Sequence, residues 1–87
     1  MKTVDDALLK VLVFGQCRAL VGADAAPVQV AVPTTAGAVL DAVCEQYPQL
    51  APLRGSLLVA VNEAYARAET PVENGDEVAV FPPIAGG

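Results

Sequence analysis

The chain has 87 residues, of which 54% are hydrophobic and 17% charged, so it is long enough for one small domain and too apolar to remain disordered. Its net charge is −5 and its five basic residues are scattered, which argues against nucleic acid as a partner and favours a partner with a basic surface. Two cysteines without any histidine cannot complete a four-ligand zinc site, so no metal is expected.

The first part of the chain predicts a β-hairpin. Residues 1–6 are polar and acidic and are expected to form a lead-in that frays. Residues 8–14 are rich in strand formers and precede a glycine, and residues 28–32 alternate apolar with small or polar side chains, so both segments are predicted as strands. Between them, residues 16–22 are predicted as one or two helical turns that end at a glycine.

The main helix is predicted next. Thr34 or Thr35 supplies an N-cap, and Pro48 ends the helix. Residues 49–55 are expected to form a compact connection after it. The apolar side chains of the helix recur at spacings of one, three and four residues and therefore share one face. They are Val39, Leu40, Val43 and Tyr47.

The last part of the chain predicts three more strands. Residues 57–61 are continuously apolar, as in a central strand covered on one face. A tight turn at residues 62–64 leads into a short edge strand at residues 65–67. The turn-rich segment 70–76 contains an Asn-Gly pair suited to positive φ. Residues 77–81 form the last strand, because the two prolines that follow cannot donate hydrogen bonds to a sheet.

This order of elements predicts an α+β fold of the β-grasp, or ubiquitin-like, type. We expect a mixed four- to five-stranded sheet with one main helix across one face, and the last strand beside the first and parallel to it. Residues 1–87 are predicted to form a single domain that ends in a flexible Gly-Gly tail.

The alternation of side chains along the first and last strands predicts an aromatic patch on the uncovered face of the sheet. If Val78 and Val80 face the helix, Phe81 faces away from it, and Phe14 does so at the end of the first strand. Because these strands should be neighbours, the two rings are expected to meet, with Tyr65 nearby. Exposed apolar patches on small domains commonly mark binding surfaces. The alternative is that the rings only cover the sheet.

The C-terminal segment carries the strongest functional signal. Two terminal glycines arise by chance in roughly one chain in 200. The two prolines upstream stiffen the exit from the sheet, and an extended segment of this length reaches about 20 Å. Its last residues have almost no side-chain volume, so this segment, called the tail, is predicted to enter a partner's active site. The tail consists of Pro82, Pro83, Ile84, Ala85, Gly86 and Gly87.

The chemistry predicted for the tail is that of an activated carboxyl group. A C-terminal α-carboxyl group ordinarily has a pKa of about 3.5, so at neutral pH it is an anion and a poor electrophile. Conversion to an acyl-adenylate would supply a better leaving group. The chain lacks a Gly-x-x-x-x-Gly-Lys phosphate loop, so ATP is expected to be used by a separate activating enzyme. Gly87 is the predicted reactive residue, with Gly86 beside it.

The cysteines and the apolar runs indicate the compartment. Cys17 and Cys44 are expected to stay reduced and to pack as small hydrophobes, as in cytosolic proteins. The start of the chain lacks the apolar stretch of a signal peptide, and the longest apolar runs are too short to cross a membrane. A cytoplasmic protein without membrane contact is expected.

Several segments resemble the MoaD/ThiS family of ubiquitin-like sulfur carriers, and within it the MoaD type. The most specific segment is 74–87, with the sequence NGDEVAVFPPIAGG. Further matches are residues 10–18, Gly22 and residues 60–62. The family often has an acidic residue where this chain has Ala19, which removes any charged contact expected at that position.

The resemblance implies a complete functional cycle. An adenylating enzyme related to ubiquitin activators would convert the Gly87 carboxylate to an acyl-adenylate, and a sulfur donor protein would convert that to a thiocarboxylate. The carrier would then act as the small subunit of molybdopterin synthase, in a heterotetramer with two large subunits, and donate sulfur to a pyranopterin precursor of the molybdenum cofactor. The positions of Phe14, Tyr65 and Phe81 match apolar contact positions of the family.

Three other readings remain open. The first is a sulfur carrier for thiazole or cysteine synthesis, although thiazole carriers usually lack the Phe-Pro-Pro segment found here. The second is a ubiquitin-like modifier joined to lysines of target proteins, and the third is an interaction module with an inert tail. Catalysis by the chain alone is not expected, since it has no histidine. Asp76 and Glu77 are interpreted as a solvated turn, and Cys17 is not expected to carry a persulfide, because no neighbouring residue is expected to lower its pKa.

Overall fold

The structure, a computed structural model, describes residues 5–83. Seven strands, two α-helices and one 3-10 helix make up this part of the chain. They are β1 (Asp5–Val13), α1 (Gly15–Val21), β2 (Ala25–Val32), β3 (Thr34–Thr35), α2 (Ala36–Gln46), the 3-10 helix (Pro48–Ser56), β4 (Leu58–Val61), β5 (Ala64–Tyr65), β6 (Pro71–Val72) and β7 (Val78–Phe81).

Five of the strands form one mixed sheet in the order β2-β1-β7-β4-β5. Strands β1 and β7 are parallel, with Val11 opposite Val78 and Val13 opposite Val80, whereas the other neighbours are antiparallel. Helix α2 packs across one face of this sheet, and β3 and β6 form a separate two-stranded pair. The predicted β-grasp fold, with its last strand beside and parallel to the first, is confirmed.

The core between the sheet and α2 is aliphatic. Val11, Val78 and Val80 are fully buried on the sheet side, and Val39 and Val43 meet them from the helix. These β-branched side chains suit a pleated surface and fix the register, because a slip by one residue would turn each of them toward solvent. The same alternation turns the intervening residues of β1 and β7 toward the open face.

Helix α2 begins where the sequence predicts it. Thr35 is the N-cap, and its Oγ1 accepts a hydrogen bond from the Ala38 backbone N–H at 3.2 Å. Two further N–H groups of the first turn, at Ala36 and Gly37, donate to carbonyl oxygens of the 66–70 loop at 2.8 Å each. The helix start is therefore satisfied by one side chain and by this loop.

Side chains at the end of α2 protect the outer edge of β2. The Gln46 amide donates to the Gln29 carbonyl oxygen at 2.8 Å and accepts from the Gln29 N–H at 2.9 Å. The Tyr47 hydroxyl donates to the Pro27 carbonyl oxygen at 2.9 Å. An edge strand with unpaired backbone groups invites association with other chains, and these bonds reduce that tendency.

Several boundaries differ from the prediction. Strand β1 begins at Asp5 rather than at residue 8, because Asp5 and Asp6 lie opposite Val32 and Ala31 of the long β2 strand. The lead-in prediction is therefore wrong for residues 5 and 6, since pairing with β2 outweighs the weak strand propensity of aspartate.

Other elements are shorter than predicted or were not predicted. Phe14 has extended backbone angles but serves as the N-cap of α1 instead of ending β1. The short edge strand is residues 64–65 rather than 65–67. The β3–β6 pair was not predicted, because two-residue strands carry no periodicity. None of the described helices has the length and apolar character that a membrane crossing requires.

The Asp76 carboxylate joins two turns at one end of the sheet. Its Oδ2 accepts from the Glu73 N–H at 2.8 Å and its Oδ1 accepts from the Asn62 side-chain amide at 3.2 Å. Asn62 Oδ1 in turn accepts from the Glu77 N–H at 2.9 Å. The hydrogen bonds from Glu73 and Asn62 lower the pKa of Asp76 below its usual value.

We expect Asp76→Asn to lower the free energy of unfolding near pH 7 and to matter less in acid. A lowered pKa in the folded chain stabilises it above the unfolded pKa of about 3.9, and this contribution is lost as the pH falls through the lowered pKa. Urea unfolding at pH 7 and at about pH 2.5 measures the difference in the free energy of unfolding between the parent and Asp76→Asn. Glu69→Gln is the control, since it removes the same charge from an exposed site. A difference between parent and Asp76→Asn that stays equally large in acid would contradict the prediction.

Candidate functional site

Three rings come together on the open face of the sheet. The ring centroids of Phe14 and Phe81 lie 5.0 Å apart with their planes at 15°, and those of Tyr65 and Phe81 lie 6.0 Å apart at 58°. Phe14 is 43% exposed and Tyr65 72% exposed, while Phe81 is half-buried between them. These three residues are called the aromatic patch. The prediction that they meet on this face is confirmed, and their role in binding stays a prediction.

Small residues beneath the rings leave space for a groove. Ala60 lies opposite Ala79 across the β4–β7 pair and opposite Tyr65 across the β4–β5 pair. Because alanine side chains are short, Ala60 and Ala79 form the base of a depression that the larger rings surround. The resulting groove has a volume of about 330 Å³. Its lining consists of Leu12, Phe14, Ala60, Glu63, Tyr65, Glu77, Ala79 and Phe81.

The apolar surface extends beyond the groove. Leu58, 39% exposed, lies opposite Phe81 across the β4–β7 pair. Leu12 lines this groove and also a neighbouring one that contains Leu8, which is 70% exposed. Exposed apolar surface of this continuity on a small domain is typical of a protein-binding site.

The start of the tail packs against a glycine beside the aromatic patch. A Cβ added to Gly15 would lie 3.2 Å from Pro82 Cγ and 3.5 Å from Pro82 Cδ, and Gly15 has φ +57°. Gly15 follows Phe14 directly, and the Phe14 carbonyl oxygen accepts from the Cys17 and Arg18 N–H groups as α1 begins. The first turn of α1 thus lies against the place where the chain leaves β7.

Only the first two residues of the predicted tail fall within the described residues. Pro82 is half-buried and Pro83 is exposed. The predictions for Ile84, Ala85, Gly86 and Gly87 lie outside the described residues. The sequence reasoning missed Gly15, which it used only as the end of the first strand. The signal was present, since a glycine between Phe14 and the start of a helix suggests a close approach or a positive φ.

The cysteines lie away from the groove. Cys17 and Cys44 are both free and buried, and desolvation by burial raises the pKa of each thiol. A raised pKa disfavours the thiolate, which is the form that would accept sulfur as a persulfide. Among residues 5–83, no three His, Cys, Asp or Glu side chains are grouped so as to hold a metal ion.

Comparison with known proteins identifies the family. The ThiS family profile matches residues 11–87. The chain belongs to the ThiS family. The resemblance to the MoaD/ThiS carriers is therefore confirmed over most of the chain, including the segment that carries the aromatic patch and the tail.

Relatives within this family cover nearly the whole chain. The molybdopterin synthase sulfur carrier subunit of Escherichia coli K12 is 43% identical over 82 residues, covering 92% of this chain and 100% of the relative. The subunit of the same name from Haemophilus influenzae is 42% identical over 82 residues, with the same coverage. The crystal structure of H. volcanii small archaeal modifier protein 1 superposes with a TM-score of 0.78 at 26% identity, covering 90% of this chain and 99% of that chain.

Three glycine-to-alanine variants separate backbone strain from the Pro82 contact. Gly22→Ala places a side chain at φ +84° in open space, and this strain costs about 1 kcal/mol. Gly15→Ala combines a positive φ with the 3.2 Å approach to Pro82, so it should destabilise the fold more than Gly22→Ala does. Gly55→Ala has neither problem and should be close to neutral.

Urea unfolding of the three variants gives the comparison. The expected order of destabilisation is Gly15→Ala, then Gly22→Ala, then Gly55→Ala. An equal effect at Gly15 and Gly22 would mean that Pro82 does not pack tightly against the start of α1.

Proposed function

We propose that this chain is the sulfur-carrying small subunit of a molybdopterin synthase, with Gly87 as the residue that carries sulfur. The observation that supports this most directly is the 43% identity over 82 residues to the Escherichia coli molybdopterin synthase sulfur carrier subunit. The structure adds that Pro82 lies close to Gly15, beside the Phe14–Phe81 stack. An exposed aromatic surface and the start of a glycine-ended tail therefore adjoin, so a partner bound to the surface would receive the tail at a defined place.

The proposed chemistry takes place at the Gly87 carboxylate. A separate ubiquitin-activator-like enzyme uses ATP to form an acyl-adenylate, which supplies the leaving group that a carboxylate lacks. A sulfur donor protein then replaces AMP with sulfur to give a thiocarboxylate. In the large synthase subunit this sulfur passes to a pyranopterin precursor, and two such transfers build the dithiolene that binds molybdenum.

The chain's own part in this cycle is to bind its partner proteins and to deliver the sulfur carried on Gly87. Its groove is lined by apolar and acidic side chains, and its cysteines are buried with raised pKa values, so the residues described supply no evident nucleophile. The partners would supply the catalytic groups. The activating enzyme would do so for adenylation, and the large subunit, in a heterotetramer with this chain, would do so for the later sulfur transfer. We place this cycle in the cytosol, in keeping with two free cysteines.

A second function is favoured by one of the comparisons. The H. volcanii protein with the same fold is a small archaeal modifier protein and is 26% identical to this chain. A modifier would use the same activated Gly87 but pass it to a lysine amine instead of accepting sulfur. The two functions thus differ in the acceptor of the acyl group and share the docking surface. Service to a thiazole or cysteine pathway would likewise change only the sulfur recipient.

The sulfur-carrier proposal is tested by intact-mass spectrometry. After incubation with ATP, the activating enzyme and a sulfur source, we expect one oxygen of the chain to be exchanged for one sulfur, located by fragmentation at Gly87. A variant with one alanine added after Gly87 should fold normally and remain unmodified. Absence of the exchange in the parent chain would exclude the proposal, and lysine-linked conjugates of higher mass in cells would favour the modifier.

The docking role of the aromatic patch is tested by truncating its rings. Phe81→Ala and Tyr65→Ala should each weaken binding to the purified large subunit, Phe81→Ala by about 30-fold, since buried aromatic anchors contribute about 2 kcal/mol or more at interfaces. Calorimetry measures the affinity, and circular dichroism verifies the fold. Leu20→Ala, a truncation of a 40% exposed apolar residue outside the groove, should bind like the parent. Folded patch variants with unchanged affinity would contradict the proposed surface.

A further inference from the structure

The turn between β4 and β5 holds a glutamate in an unfavourable backbone conformation. Asn62 has φ +51° and Glu63 has φ +71°, as in a two-residue hairpin loop that needs positive φ at both positions. Asparagine tolerates this conformation, but the second position of such a loop is normally glycine, and a glutamate there is uncommon. Strained residues of this kind are concentrated at functional sites.

Glu63 lines the groove of the aromatic patch together with a second glutamate. Glu77 also lines the groove, and it lies two and four residues before Ala79 and Phe81, so it points to the same open face. The Asn62 N–H donates to the Glu77 carbonyl oxygen at 2.7 Å, and the Asn62 side chain accepts from the Glu77 N–H at 2.9 Å. These bonds hold the turn against the start of β7 and bring both carboxylates to one end of the groove.

This end of the groove is far from the tail. Strand β7 runs from the carboxylates toward Phe81 and Pro82, and four residues of strand span about 13 Å. The groove therefore has an acidic end at the start of β7 and an aromatic end where the tail begins.

The two carboxylates are not neutralised within the described part of the chain. Its ion pairs are Arg18 with Asp24 and Arg54 with Asp41, and neither pair includes a residue that lines the groove. Lys10 lines the neighbouring groove beside Glu77 but forms no ion pair with it. A partner that covered the aromatic patch would remove water from Glu63 and Glu77 as well, and this is unfavourable unless the partner supplies a positive charge.

We infer that Glu63 and Glu77 form an acidic rim that receives an arginine or lysine side chain of the partner that docks on the aromatic patch. The inference rests on the proposed function, in which that partner is the large synthase subunit. Complementary charges help to fix the register of an interface. A charge contact at the end of the groove opposite the tail fixes which way the tail points into the partner.

The first test removes charge without changing size. Glu63→Gln with Glu77→Gln should slow association with the purified large subunit about 10-fold at low salt, and the difference from the parent should shrink at high salt, because steering by charge is screened. The control double variant, Glu45→Gln with Glu69→Gln, changes the net charge equally at exposed sites that do not line the groove. Stopped-flow mixing at two salt concentrations measures the association rates of the parent and of both double variants.

The second test separates a binding role from a structural one. Glu63→Gly relieves the positive φ, so the thermal midpoint should rise by about 4 °C, while association at low salt should still slow because the Glu63 charge is lost. If Glu63 served only the fold, its replacement would not raise the thermal midpoint and slow association at the same time. If Glu63→Gly raises the midpoint and leaves association unchanged, Glu63 is not part of the rim.

The outcomes distinguish this inference from the proposed function. If the control double variant slows association as much as the groove variant does, only net charge matters and the acidic rim is wrong. If Phe81→Ala weakens binding but Glu63→Gln with Glu77→Gln has no effect, the aromatic patch remains the proposed docking surface and the acidic rim is wrong. If none of these variants affects binding to the large subunit, the aromatic patch is not the docking surface and the acidic rim is wrong, whereas the sulfur-carrier proposal is decided separately by the mass measurement at Gly87.

Discussion

The parallel pairing of β1 with β7 is the constraint on which the rest of this structure depends. It places Val11 and Val13 beside Val78 and Val80 in the core, which closes the sheet under α2. Since side chains alternate along both strands, the same register brings Phe14 and Phe81 together on the opposite face. Core and candidate site are therefore two faces of one strand pair, and a shift in register would damage both.

This arrangement allows the open face to vary without loss of the core. Where β1 and β7 pair, the core residues are fully or almost fully buried valines, whereas the aromatic patch and the two glutamates lie on the other side of the sheet. Substitutions in the patch should therefore change partner choice more than folding. The exception is Phe81, which is half-buried between two rings and contributes to both.

Local patterns in the sequence predicted the features that depend on periodicity and on turn or cap chemistry. The five strands of the main sheet, the helix with its threonine cap, and the meeting of Phe14 with Phe81 all follow from alternation combined with the pairing typical of a β-grasp. The remaining features depend on contacts between distant segments. Gly15 meets Pro82 only once α1 lies beside the end of β7, and Asp6 joins a strand only because β2 extends far enough to pair with it. The left-handed conformation of Glu63 escaped notice because glutamate is not a residue that marks such turns.

In the proposed function, the two ends of the groove have different roles in presenting the tail to the partner. The exit at Pro82 is fixed by its contact with Gly15, and Pro83 cannot rotate freely about φ. From that fixed point the remaining chain reaches a limited distance, about 20 Å from Pro82 to Gly87 when extended. In the proposed complex, the partner's active site would therefore lie within that distance of the aromatic end while the partner also contacts the acidic end. On this proposal, the charge at the start of β7 restricts the direction in which the C-terminal carboxylate is presented, although the residues that carry that charge lie at the opposite end of the groove from Pro82.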